Sequence, residues 1–125
     1  MLFDTDVLIW FLRGSERAAA VIDATEERGL SVVSYMELLQ GARDKREVRA
    51  IKEFLSVADF GMVPLSENIG HRASIYMEEF GLKAGMGMAD ALQAATAVEG
   101  HLTLCTANRR HYAVVSELQL SVFQP

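Results

Sequence analysis

Short apolar stretches along the chain alternate with longer segments in which apolar residues recur every three or four positions. The stretches are MLF at 1–3, LSVVS at 30–34, GMVPLS at 61–66, LTLCT at 102–106 and LSVF at 120–123. Short apolar runs predict buried strands, whereas the three-to-four spacing predicts amphipathic helices. Apolar strands separated by helices are typical of a parallel sheet that is covered on both faces. The pattern therefore predicts an α/β fold.

The segments between these stretches are predicted to be helical. They cover residues 6–14, 15–28, 35–42, 45–57, 67–82, 89–100 and 108–114. Ser15 is a favoured N-cap for the second helix, and Gly14 and Gly100 are expected to end the helices that precede them. The glycine-rich segment 84–88 is expected to be a flexible loop.

The chain has 125 residues, half of them hydrophobic, with no repeat or linker. This length and composition predict one folded domain, residues 1–125, with a single core. No apolar run approaches the roughly 20 residues needed to cross a bilayer, so no contact with the membrane interior is expected. The single cysteine, Cys105, lies in an apolar run, which favours a buried thiol and fits a reducing cytoplasm.

The formal net charge of −5 argues against a protein that coats nucleic acid by charge alone. It does not exclude a nuclease, because a bound metal ion can reverse the local sign of the potential. Basic residues are concentrated in RDKREVRAIK at 43–52 and NRRH at 108–111. The first segment is consistent with a solvated helix face and equally with a surface that contacts nucleic acid or a partner.

Polar residues follow three of the predicted strands, and one more carboxylate begins the helix after the glycine-rich loop. In an open α/β sheet, functional sites lie at the edge formed by the carboxyl ends of the strands. These side chains are therefore expected to share one edge of the sheet. They are Asp4, Asp6, Ser34, Glu37, Asp90, Thr106 and Asn108.

Taken singly, each of these residues also has an ordinary structural explanation. Asp6 is favoured as the N-cap of the first helix. Ser34 and Glu37 have the spacing of a capping box at the start of the third. Asp90 suits the first turn of a helix, where the helix dipole stabilises its charge. Asn108 is similarly favoured as a cap of the last helix.

Together, three carboxylates and an amide at one edge are more informative than each residue alone. Clustered carboxylates repel one another, which raises their pKa values unless a cation lies among them. An all-oxygen ligand set suits Mg²⁺ or Mn²⁺, and Mg²⁺ needs only one or two direct protein ligands. The cysteine and histidine spacing does not indicate zinc, and the chain has neither a phosphate-binding loop nor a G-x-S-x-G motif.

Three segments resemble successive segments of the PIN domain family, and their order and spacing extend over nearly the whole chain. They are LFDTDVLIWFLRG at 2–14, SVVSYMELLQGA at 31–42 and MADALQAATAVEGHLTLCTANRRHY at 88–112. Within that family, the short single-domain form resembles the VapC toxins of toxin–antitoxin pairs. The resemblance implies a Mg²⁺- or Mn²⁺-dependent ribonuclease with a five-stranded, mainly parallel sheet between helices.

The resemblance also implies roles for individual residues. Asp4, Glu37 and Asp90 match the three acidic positions of the family. Asn108 matches the fourth, where many members have aspartate and many VapC-like members have asparagine. Asn108 removes one negative charge and leaves the number of metal ions open. Thr5 and Thr106 match hydroxyl positions beside the site. Asp6 lies beside the site as well, at a position where asparagine is common in the family.

The mechanism expected from these roles is hydrolysis of an RNA phosphodiester. Asp4 and Asp90 would be the main metal ligands, and Glu37 and Asn108 would hold metal-bound waters. The ion would lower the pKa of an attacking water, with Glu37 or Asp4 as proton acceptor. The RNA backbone would be held by guanidinium groups, which suit phosphate. These belong to Arg43, Arg109 and Arg110.

The resemblance further implies a small antitoxin partner, whose C-terminal segment covers the active-site groove, and a homodimer. Two other functions stay open. One is a PIN-like module that binds RNA or a partner without cutting, for which Asn108 leaves room. The other is a haloacid dehalogenase-like phosphatase with Asp4 as nucleophile, although Leu8 stands where threonine or valine is expected. A receiver domain is disfavoured, because the final segment 121–125 lacks the expected lysine.

Overall fold

The computed structural model describes residues 1–125 and contains five short strands and seven helices. The strands are β1 (Leu2–Phe3), β2 (Arg28–Ser31), β3 (Phe60–Val63), β4 (Leu104–Thr106) and β5 (Leu120–Val122). The helices are α1 (Thr5–Leu12), α2 (Glu16–Asp23), α3 (Val32–Gln40), α4 (Lys45–Val57), α5 (Glu67–Ala84), α6 (Met88–Glu99) and α7 (Arg109–Tyr112). The predicted α/β class is confirmed.

The strands form one sheet in the order β3-β2-β1-β4-β5, and every neighbouring pair is parallel. The central strand, β1, has only two residues, and its register pairs Leu2 with Gly29 on one side and with Leu104 on the other. Because all five strands run in the same direction, their carboxyl ends lie at one edge of the sheet. Asp4 follows β1 directly at that edge, as predicted.

The two faces of the sheet bury separate apolar clusters, because successive side chains of a strand point to opposite faces. Leu2 and Leu104 belong to the cluster that includes residues of α5 and α6. Phe3 and Cys105 belong to the cluster that includes residues of α1 to α4. Cys105 is buried, as expected. None of the helices has the length and apolar character needed to span a bilayer.

The boundary between β2 and α3 differs from the prediction of a strand over 30–34. The strand ends at Ser31, and the next three residues form the first turn of α3. Ser31 is the N-cap, and its Oγ accepts a hydrogen bond from the Ser34 amide at 3.0 Å. The predicted capping box of Ser34 and Glu37 is therefore wrong. The short apolar run at 30–34 has the β-propensity of a strand. Val33 and Ser34 are nevertheless buried in the first turn of a helix, so tertiary packing overrides that propensity here.

The start of α1 also differs from the prediction. Its N-cap is Asp4, whose Oδ1 accepts from the Thr5 amide at 2.8 Å, so the assignment of Asp6 as the cap is wrong. Asp6 lies in the first turn of the helix instead. Asn108 occupies the N-cap position of α7, but its side chain makes no capping hydrogen bond.

Other boundaries shift by a few residues. α2 ends at Asp23 rather than at residue 28, because Arg28 already pairs with Phe60 in the sheet. The segment predicted as a flexible loop, 84–88, contains the end of α5 and the start of α6. Gly85 ends α5 with φ at +67°, a left-handed conformation that glycine adopts without strain.

Candidate active site

Asp4 lies at the centre of a polar cluster at the carboxyl edge of the sheet and is only 8% exposed. Its Oδ1 accepts from the Thr5 amide at 2.8 Å and from Gln93 Nε2 at 2.9 Å. Its Oδ2 accepts from Thr106 Oγ1 at 2.9 Å and from the Tyr112 hydroxyl at 3.0 Å. A carboxylate offers about four acceptor positions, so these four donors compensate for the loss of water. The carboxylate is fixed by elements from the whole length of the chain.

Asp90 lies in the first turn of α6 and faces α7. Its Oδ1 is 3.2 Å from the Tyr112 hydroxyl, and its Oδ2 is 3.2 Å from His111 Nδ1. Burial raises the pKa of Asp90, and the nearby Asp4 carboxylate raises it further, whereas His111 and the Tyr112 hydrogen bond lower it. Asp4 and Asp90 therefore share one hydrogen-bond donor and repel each other across it.

Glu37 lies on α3 and is joined to this pair through Thr5. Thr5 Oγ1 donates to Glu37 Oε1 at 2.7 Å and lies 2.9 Å from Ser34 Oγ. Because Thr5 follows Asp4 directly, the Glu37 carboxylate is held next to the cluster but not inside it. The prediction that Asp4, Glu37 and Asp90 gather at one sheet edge fits this arrangement.

Asp6 is the second carboxylate near Asp4. Its Oδ2 accepts from the Ala107 amide at 3.0 Å and lies 3.4 Å from Thr106 Oγ1. Its Oδ1 is buried and has no hydrogen-bond partner. Burial, followed by the nearby Asp4 charge, raises the pKa of Asp6 to about 6. When it is ionised, Asp6 thus adds a further negative charge beside Asp4.

The remaining predicted residues lie around the rim. The Asn108 amide donates to Thr106 Oγ1 at 3.0 Å, and the Asn108 side chain is exposed. Arg109 and Arg110 are exposed on α7, the helix that carries His111 and Tyr112. Arg43 is exposed as well, and it forms an ion pair with Glu47 at 3.0 Å. An exposed pair of this kind contributes little to stability, so its arginine is available to other anions.

Sequence reasoning missed three residues that contact Asp4 or Asp90: Gln93, His111 and Tyr112. The Gln93 side chain is 1% exposed, and its Nε2 donates to both Asp4 Oδ1 and Ser34 Oγ. Its Oε1 accepts from Ser31 Oγ. A signal for Gln93 existed in the sequence. It is a polar residue among alanines, three positions after Asp90 and hence on the same face of α6.

The cluster suits a hard divalent cation, although it lacks a complete protein cage. No three histidine, cysteine, aspartate or glutamate side chains lie close enough together to hold an ion by themselves. Asp4 and Asp90 offer two carboxylates, which is what Mg²⁺ commonly takes from a protein when water and phosphate oxygens complete its shell. Burial is the main cause of the raised pKa values of Asp90 and Asp6, and the Asp4 charge adds to both, so a bound cation would favour the ionised form of each carboxyl.

Comparison with known proteins decides the family. Residues 1–117 match the family described as the PIN domain. This chain belongs to the PIN domain family. Ribonuclease VapC10 of Mycobacterium tuberculosis is 34% identical to it over 125 residues, which cover 95% of this PIN-domain chain and 90% of that protein. VapC ribonuclease Mb0625 of Mycobacterium bovis is 33% identical over 109 residues. The aligned region covers 79% of this chain and 82% of that protein.

Solved structures of PIN-domain proteins have the same fold. A toxin–antitoxin complex from Klebsiella pneumoniae contains a chain that superposes with a TM-score of 0.82 at 25% identity. A chain of DNA-bound VapBC from Salmonella typhimurium superposes with a TM-score of 0.86 at 18% identity. Each comparison covers 98% of this chain and 97% of the other. The expected family and the expected parallel five-stranded sheet are confirmed.

Asp6→Asn is expected to stabilise the metal-free protein at about pH 8 and to have little effect at about pH 4. The pKa of Asp6 is about 6 in the folded protein and near 3.8 in the unfolded chain. The folded state therefore binds more protons between these values, so stability is lost as the pH rises through them. Asp6 is partly exposed, so solvent screening leaves a gain of about 1–2 kcal/mol from the substitution.

Thermal denaturation in EDTA at the two pH values measures this difference for Asp6→Asn. Glu26→Gln, at an exposed position, is the matched control and should not alter the pH dependence. An equal gain for Asp6→Asn at both pH values would show that the Asp6 charge is not the cause.

Proposed function

We propose that this PIN-domain chain, as one domain of residues 1–125, is a Mg²⁺- or Mn²⁺-dependent endoribonuclease and the toxin of a VapC-like toxin–antitoxin pair. The observation that carries the proposal is the juxtaposition of Asp4 and Asp90 through Tyr112 at the carboxyl edge of the sheet. Ribonuclease VapC10 of Mycobacterium tuberculosis is its relative over 90% of that protein's length. A pair of carboxylates without an adjacent arginine or lysine suits a cation-dependent reaction on phosphate.

The proposed role of each residue follows from its hydrogen bonds and its exposure to solvent. Asp4 and Asp90 would hold the ion, which supplies Lewis-acid chemistry and lowers the pKa of water. Donors on both oxygens hold Asp4 in place, and a lone pair on Oδ2 is free for an ion when the single Tyr112 proton is donated to Asp90 instead, so Asp4 suits a fixed ligand. Glu37 accepts one hydrogen bond from Thr5 and is partly exposed, so it is the better general base. Asn108 is exposed near the rim, where its amide can hold water or substrate.

The RNA backbone would lie across the rim of the site. Arg109 and Arg110 are exposed on α7 beside His111, which contacts Asp90. Arg43 lies on a groove of about 470 Å³ that also reaches Glu37. Guanidinium groups bind phosphate with two hydrogen bonds, which would orient the strand as well as attract it.

The same groove is the surface that we assign to a small antitoxin. It lies between α1, α3 and α4, is lined in part by Ile9, Leu12 and Ile51, and has Glu37 at its border. A solved relative is described as a toxin–antitoxin complex, which supports a partner of this kind. A segment bound there would cover the approach to the site. A homodimer and a cytoplasmic location, which fits the buried thiol of Cys105, stay predictions.

A PIN domain that binds RNA without cutting it is the second candidate function. It is favoured by Asn108, which replaces a carboxylate, and by the lack of three clustered acidic ligands. A phosphatase with Asp4 as covalent nucleophile is disfavoured, because the chain belongs to the PIN domain family and its relative VapC10 is named a ribonuclease.

Partner-free protein incubated with total RNA in Mg²⁺, Mn²⁺ or EDTA tests the proposal, with cut sites mapped by sequencing. We expect cuts at defined positions in either metal, and none in EDTA or with Asp90→Asn. That variant removes the charge of one proposed ligand but keeps its size. Asp23→Asn, the same change at an exposed residue of α2, is the matched control and should cut normally.

Two outcomes would contradict the proposal. Cleavage that survives EDTA and Asp90→Asn would come from another nuclease or another site. Folded, partner-free protein that binds RNA without cutting it in either metal would favour the non-cutting module.

A further inference from the structure

Tyr112 ends the short helix α7, and its side chain is completely buried. The ring belongs to the same apolar cluster as Leu2, Ala94 and Leu104, on the face of the sheet covered by α5 and α6. A large ring enclosed in a close-packed core has little freedom to change rotamer. The position of the hydroxyl is therefore set by the core and not by the groups that it touches.

The Tyr112 hydroxyl lies between the two carboxylates of the proposed metal site. It is 3.0 Å from Asp4 Oδ2 and 3.2 Å from Asp90 Oδ1. A phenol has one proton, so it donates fully to one carboxylate at a time while the other stays within reach of the same oxygen. Asp4 follows β1 and Asp90 belongs to α6. The Tyr112 hydroxyl oxygen therefore contacts two carboxylates that are remote from each other in the sequence.

We propose that Tyr112 is a positioning residue: its hydroxyl sets the spacing and orientation of Asp4 and Asp90 before an ion binds. The inference rests on the proposed function above. Mg²⁺ and similar ions need ligand oxygens at about 2.0–2.1 Å in near-ideal geometry, so small displacements of a carboxylate weaken binding. Hydrogen bonds to ligating groups typically change metal affinity or activity by about 10–100-fold.

The chemistry of the phenol suits this role. A lysine or arginine between the carboxylates would hold them equally well but would repel an incoming cation. A phenol is uncharged near neutral pH, so Tyr112 brings no positive charge to the site. It therefore donates a hydrogen bond without competing for the negative charge.

The chain offers a matched control in Tyr76. This residue of α5 is also buried, and its hydroxyl donates to a carboxylate, that of Glu117. Glu117 also pairs with Arg72, and neither of these residues belongs to the Asp4 cluster. Replacing either tyrosine by phenylalanine removes a buried hydroxyl that donates to a carboxylate, but only Tyr112 lies between two carboxylates of the proposed ion site.

The test is a calorimetric titration of Mn²⁺ into the intact protein, with kcat and KM for RNA cleavage measured in parallel. Tyr112→Phe keeps the ring that fills the core, and circular dichroism is expected to show a native fold. We expect it to weaken Mn²⁺ binding about tenfold and to lower kcat, with KM for RNA unchanged. Tyr76→Phe is expected to lower the melting temperature but to leave the Mn²⁺ affinity and kcat unchanged.

The inference is overturned if Tyr112→Phe binds Mn²⁺ as tightly as the wild type, or more tightly. It is also overturned if Tyr76→Phe loses as much affinity, because the effect would then reflect general loosening of the fold. Wild-type protein that binds no Mn²⁺ would overturn the proposed metal-dependent function itself. That result differs from the others, which all require measurable binding by the wild type.

Discussion

Asp4→Asn is expected to abolish metal-dependent RNA cleavage while the protein remains folded. The substitution removes one negative charge from the proposed ion site and replaces one oxygen by an NH₂ group. The remaining oxygen can still accept from the Thr5 amide and Gln93 Nε2. The new NH₂ would face Thr106 and Tyr112, whose hydroxyls can rotate and accept. All four contacts therefore have a hydrogen-bonded alternative, so loss of activity need not follow from loss of structure.

The expected loss of kcat exceeds about 100-fold, since even the groups that support metal ligands contribute about 10–100-fold. Removal of the Asp4 charge also ends its repulsion of Asp6 and Asp90, so melting temperature should be unchanged or slightly higher. Cleavage of a mapped RNA site and thermal denaturation measure the two quantities. Asp59→Asn, in an exposed turn where asparagine tolerates the left-handed φ of 55°, is the control. Substantial cleavage by Asp4→Asn would remove this residue from the ion site.

The placement of Asp4 was predictable because it depends on topology. Once the apolar strands and intervening helices indicate a parallel sheet, polar residues after a strand must lie at its carboxyl edge. The same reasoning failed at residues 32–34. A short apolar run that is buried on both sides has no period that distinguishes a strand from the first turn of a helix. The difference mattered, because it moved the α3 cap from Ser34 to Ser31.

The residues that hold Asp4 in place were beyond prediction for a different reason. Gln93 and Tyr112 lie 89 and 108 positions from Asp4 in the sequence. Their polar groups meet Asp4 because α6 and α7 pack beside β1 and β4; the spacing from Asp90 marks the face of α6 on which Gln93 lies, but it does not identify Asp4 as the acceptor. Within the segment 108–114, Tyr112 is the one large ring, and its burial in the core follows from that apolar ring rather than from its hydroxyl.

Gln93→Glu is expected to be among the most destabilising single substitutions at the site, by about 3–5 kcal/mol near neutral pH. Gln93 acts as a donor to Asp4 and Ser34 and as an acceptor for Ser31. The substitution keeps the size of the side chain but removes both N–H donors. It also places a further carboxyl against Asp4, in addition to those of Asp6 and Asp90, at a position that is 1% exposed. Burial and like-charge repulsion both raise the pKa of the introduced carboxyl.

The pH dependence identifies the cause. A carboxyl with a raised pKa in the folded state is neutral there at low pH, so its penalty is smallest below about pH 4 and grows as the pH rises towards neutrality. Urea denaturation of Gln93→Glu at several pH values in EDTA measures this growth. Gln124→Glu adds the same charge at an exposed position and should cost little at any pH. If the two variants cost the same, the Gln93 amide is solvated, and Asp4 is not held by a buried network. A cost for Gln93→Glu alone that does not vary with pH would assign the loss to its missing donors rather than to charge.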